Sequence, residues 1–137
     1  MKKILSTLSL LSAAALFAAP VQAQTMMHTG PFHVLGAPTT GSASATEKSG
    51  KVTITLSHLK TEPGPGLQVW LYADKAPVKG ATDASIVAVK HIKVGDLKTF
   101  KGNFSFTAPA GTKISDFKSV VLYCATVKTA FAAADLK

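Results

Sequence analysis

The sequence predicts an all-β fold, a single-domain antiparallel β-sandwich or flattened barrel. Three observations carry that expectation. Turn formers recur about every ten residues, at Gly36 to Gly41, Ser49-Gly50, Pro63 to Gly66, Pro77 to Gly80, Gly95-Asp96 and Pro109 to Gly111. Several of the segments between them alternate apolar and polar residues, the period of a half-buried strand. Beyond residue 30, helical signals are confined to Ser115-Asp116-Phe117, the opening of a short turn, and to Phe131–Leu136, alanine-rich but under two turns long.

Taken in order, residues 1–23 read as a cleaved signal peptide. Lys2 and Lys3 open an apolar run from Ile4 to Ala19 that ends in Val21-Gln22-Ala23, a small-x-small cleavage signal. Residues 24–29 read as a flexible leader, and the β domain is expected over 30–137. Val52, Ile54 and Leu56 share one strand face, and Thr53, Thr55 and Ser57 share the other. Leu67, Val69 and Leu71 repeat the pattern opposite Gln68, Trp70 and Tyr72, whose aromatic rings require cover, so this strand is expected to be packed on both faces. Further strands are expected at Ile86–Val94, Phe100–Thr107 and Val120–Val127, the last an almost continuous apolar run suited to a central position. The chain contains no linker and no internal repeat, so one folding unit is expected.

Cleavage after Ala23 removes two of the 15 lysines, leaving 13 against seven carboxylates, a formal charge of +6 with no arginine. The lysines are scattered. Without arginine forks or a basic stripe interleaved with aromatics, nucleic-acid binding is excluded as the leading reading. No second apolar stretch reaches the length of a membrane span. Gly-x-Ser-x-Gly, phosphate-loop, dinucleotide and His-Glu-x-x-His patterns are missing, which argues against a stand-alone enzyme. A signal peptide implies a periplasmic or secreted protein, and lysine-bearing edge strands favour a monomer.

Cys124 is the sole cysteine, so no intrachain disulfide forms. Alternation places Val120, Leu122 and Cys124 on one strand face and Val121, Tyr123 and Ala125 on the other. A lone thiol in an oxidising compartment admits four roles: inert core residue, redox thiol, haem or metal ligand, and intermolecular bridge. Met26, Met27, His28 and His33 form a second cluster, whose thioether and imidazole donors suit copper(I). Trp70 and Tyr72 offer rings that stack on a sugar or a porphyrin, or simply pack. His58 and His91 stand alone in sequence.

Phe117-Lys118-Ser119-Val120-Val121-Leu122-Tyr123-Cys124, followed by Phe131-Ala132-Ala133-Ala134-Asp135-Leu136, resembles the C-terminal signature of the DM-thirteen domain family. Gly64-Pro65-Gly66-Leu67-Gln68-Val69-Trp70-Leu71 resembles that family's Gly-Pro-Asp-Leu-His-Val-Tyr-Leu strand, with Gly66 and Gln68 where the family has Asp and His. Gly95-Asp96-Leu97-Lys98 and Lys101-Gly102-Asn103 resemble its Leu-Lys-Gly-Asn segment, here followed by Phe104-Ser105-Phe106 in place of a more polar run. The similarity spans Gly30 to Leu136. It implies an all-β extracytoplasmic domain in an electron-transfer system, with a redox partner protein in the cell envelope. It also implies that Cys124 is a naked redox thiol or a ligand to a prosthetic group such as haem. The competing expectation is a non-catalytic envelope interaction module with Cys124 inert in its core.

Overall fold

A computed structural model describes residues 26–137; the signal-peptide reading of residues 1–23 lies outside the described residues. Among the described residues nine strands form two antiparallel sheets with no closed barrel, the sandwich alternative of the sequence reading. The four-stranded sheet has the order β1 (Met26–Pro31), β3 (Thr40–Lys48), β4 (Lys51–Lys60), β7 (Lys101–Thr107). The five-stranded sheet runs β2 (His33–Val34), β9 (Thr129–Asp135), β8 (Ser119–Cys124), β5 (Leu67–Tyr72), β6 (His91–Asp96). A single turn of 3-10 helix covers Ile114–Asp116.

The main core lies between the sheets. Ile54, Leu56, Leu67, Val69, Leu71, Val120, Leu122 and Cys124 are all fully buried there, and they are the inward members of the alternating segments. Gly95 on β6 lets the sheets close at one edge: a β-carbon at that position would stand 2.1 Å from the Phe106 ring of β7. A second, smaller apolar layer covers the outer face of the five-stranded sheet. Trp70, Tyr72, Val121 and Tyr123 supply it from β5 and β8, and Ile86 of the short helix α1 (Asp83–Ala88) caps it.

Three local expectations are corrected. Met26–Thr29, read as leader, belong to β1, whose backbone pairs with β3 from Met26↔Glu47 to Pro31↔Ser42. Ladder pairing holds this segment, although side chains such as Met26 and Met27 stay exposed. The strand expected at Ile86–Val94 splits into α1 and β6: Thr82 caps the helix by accepting from the Ser85 amide at 3.2 Å, and only from His91 does the chain extend. Phe131–Leu136 is no helix. All of it through Asp135 lies in β9, where Ala132, Ala133 and Ala134 have no exposed surface, so sheet burial overrides the helical preference of alanine.

Candidate functional site

Cys124 ends β8 on the face that looks into the main core. Its thiol donates to the Pro65 carbonyl at 3.1 Å. The cover over the sulfur is unusual in kind. A β-carbon on Gly64 would lie 3.2 Å from Sγ and 2.8 Å from the Phe131 ring, so only a glycine fits between thiol and ring. Gly64 is buried, while Pro63, Pro65 and Gly66 around it are exposed. The thiol is therefore roofed by a thin strip of backbone outside any strand. Neither proline of that strip has an amide hydrogen to pin it. Its far end is held by the Ala125 amide donating to the Gly66 carbonyl at 3.1 Å.

This geometry does not fit a haem ligand. A thiolate ligand needs open space beside the sulfur, and here Cys124 has no exposed surface and its thiol is bonded to the Pro65 carbonyl next to buried Gly64. A reactive thiol needs positive potential nearby, which the sequence offers at Lys118 or Lys128: Lys118 precedes β8 at the end opposite Cys124, and Lys128 lies in the turn that joins Cys124 to its register partner Thr129.

Trp70 and Tyr72 lie on the other face of the same sheet, so the structure does not bring them together with the thiol. The Trp70 indole is sandwiched. His91 stacks on one side with ring centroids 3.9 Å apart at 11°, and Tyr123 on the other at 4.1 Å and 24°. Its Nε1 donates to Gln68 Oε1 at 2.9 Å. Tyr72 is buried too, and its hydroxyl donates to the Ile86 carbonyl at 3.0 Å. Both indole faces are occupied and Tyr72 is enclosed, so neither residue has a free ring face in this structure.

The Tyr123 hydroxyl donates to the Asp83 carboxylate in the first turn of α1. Burial first, and then the hydrogen bond and charge of Asp83, push the Tyr123 phenol up to about 12. Burial and the nearby Asp74 also raise Tyr72. His91 Nδ1 donates to the Val89 carbonyl at 2.7 Å, which fixes the ring over Trp70. Sequence reading left Tyr123, His91 and Asp83 unconnected. The register Gln68↔Tyr123 and Tyr72↔His91 joins them, and no local pattern encodes that register.

The proposed copper cluster is not assembled. Alternation along β1 puts Met27 on the face opposite Met26 and His28. His33 lies in the other sheet, where its Nε2 donates to the Pro77 carbonyl at 3.1 Å. Among the described residues no group of three or more His, Cys, Asp or Glu converges as a metal site, and no helix is long and apolar enough to cross a membrane.

A family model described as Electron transfer DM13 matches residues 32–136. No curated protein and no solved structure matches the chain. The matched span takes in both sheets from β2 onward, the Cys124 roof and the aromatic stack, and covers well over half of the sequence. The chain belongs to the electron transfer DM13 family.

Proposed function

We propose that the protein is an exported electron-transfer domain whose redox group is the Cys124 thiol, reached when the Gly64–Gly66 roof lifts. The observation that carries this reading is the kind of cover: the only sulfur nucleophile in the family match lies under glycine and proline backbone on one side. In the closed state the thiol is protected from disulfide exchange, as an exported free cysteine must be. In the open state a peroxide oxidises it. An S–O bond forms, the O–O bond breaks, the thiol proton leaves in water, and a sulfenic acid remains. Two thiols of a partner protein return it to the thiol, forming their own disulfide and water. The signal-peptide reading of residues 1–23 supports a cycle in the periplasm or outside the cell, with a redox partner of the envelope.

One observation favours a second reading. Cys124 has no exposed surface and belongs to the main core, as an inert cysteine of an interaction module would. Native protein treated with hydrogen peroxide and a sulfenic-acid trap, then mapped by mass spectrometry, separates the two. The redox reading expects the adduct on Cys124 under native conditions. An adduct that forms only after unfolding would establish the inert core residue instead.

A further inference from the structure

The outer face of the five-stranded sheet carries a continuous ring stack that the thiol cycle does not use. It begins at half-buried His91, passes through Trp70, and ends at Tyr123, whose hydroxyl is bonded to Asp83. Adjacent rings are in contact, so an electron crosses each step without leaving the aromatic system. Trp70 and Tyr123 are both largely shielded, at 5% exposure each, which limits the contact of an oxidised ring with water. Asp83 also lines a cavity of about 140 Å³ bounded by Leu35, Gly80, Ile86 and Lys128, which gives a proton arriving at its carboxylate a way out.

The geometry points to Tyr123 as a redox-active tyrosine, with Trp70 as the electron relay to the His91 edge and Asp83 as the proton acceptor. A strong one-electron oxidant of a partner protein, a high-valent metal centre docked at that edge, takes an electron from the Trp70 indole, which keeps its N–H on Gln68. An electron from Tyr123 refills the indole while the phenolic proton passes to the Asp83 carboxylate. The products are a neutral phenoxyl radical, a carboxylic acid, an unchanged Trp70 and the reduced metal centre. The reverse electron, from a reduced metal centre, returns the proton to the phenol. This inference rests on the electron-transfer reading of the chain but not on Cys124.

Pulse radiolysis of the folded protein with azide radical tests it, since azide radical becomes azide ion by taking one electron from tryptophan. Trp70 is the only tryptophan, and Tyr72 is the only other tyrosine. The indole radical is expected to decay as a phenoxyl radical grows, at a rate independent of protein concentration and slowed in heavy water. Tyr123→Phe, which keeps the stack, should abolish the growth phase, and Tyr72→Phe should preserve it. Asp83→Asn should slow it by about a hundredfold, the scale of a positioned proton acceptor. Growth that survives in Tyr123→Phe, depends on protein concentration, or keeps its rate in Asp83→Asn would overturn the proposal. Cys124→Ser separates this inference from the thiol proposal, because it should remove the sulfenic adduct and leave the phenoxyl growth intact. Loss of that growth in Cys124→Ser would also overturn the inference, by making the thiol part of the path.

Discussion

At Cys124 the balance between chemistry and burial turns on what lies above the sulfur rather than on how deep the residue sits. Replacing it with alanine removes one sulfur from a core already crowded by Leu122, Phe131 and Gly64, and should cost about 1 kcal/mol in chemical unfolding. Gly64→Ala tests the roof. The added methyl meets the Phe131 ring at 2.8 Å and Sγ at 3.2 Å, so the strip or the ring must shift. Overpacking of this kind costs about 1–3 kcal/mol, and native alkylation of Cys124 should accelerate in the same variant. Tyr123 gives a spectroscopic check at the same scale. Its native phenol is held near 12, against 10.0 without the burial and Asp83 that raise it, so the native state keeps the proton that the unfolded state releases. The stability linked to Tyr123 is therefore complete below about pH 10 and is lost as pH rises towards 12. Tyrosinate absorbance should show this late titration, and Asp83→Asn should move it to lower pH.

Among the elements, β8 bears most of the architecture, because it lies between β9 and β5 and sends residues into both apolar layers. Leu122→Ala should destabilise the fold by about 2–5 kcal/mol in denaturant titration, as expected for a fully buried leucine. The strand's alternation was legible because its two faces carry different side chains, Val120, Leu122 and Cys124 against Val121 and Tyr123. The same reasoning identified β4 and β5 from Val52-Ile54-Leu56 and Leu67-Val69-Leu71. It passed over β3, where Ser42, Ala43, Ser44 and Ala45 alternate in burial but carry too little apolar mass to announce a strand. It misread α1 because Ile86-Val87-Ala88-Val89 looks like β-branched strand, and the Thr82 cap that decides the matter is a local signal one turn upstream. Half of the candidate site was legible in the same sense. Cys124 stands out in composition, whereas its roof and the Trp70 stack arise from pairing between distant strands.

For the whole molecule, the two sheets separate two chemistries onto opposite faces of one sheet: a thiol in the inter-sheet core and an aromatic stack under the α1 cover. Both stand within the span that matches the electron transfer DM13 family. The proposed export is tested at this scale by N-terminal sequencing of the protein from an envelope or culture fraction, which should begin at Gln24. Opening of the Cys124 roof apart from global unfolding is tested most directly by native-state alkylation of the thiol across low denaturant concentrations. Local opening exposes little surface, so the labelling rate should barely change with denaturant until the fold itself melts. A rate that rises throughout with the full denaturant dependence of global unfolding would contradict it, and would leave Cys124 as a sealed core residue.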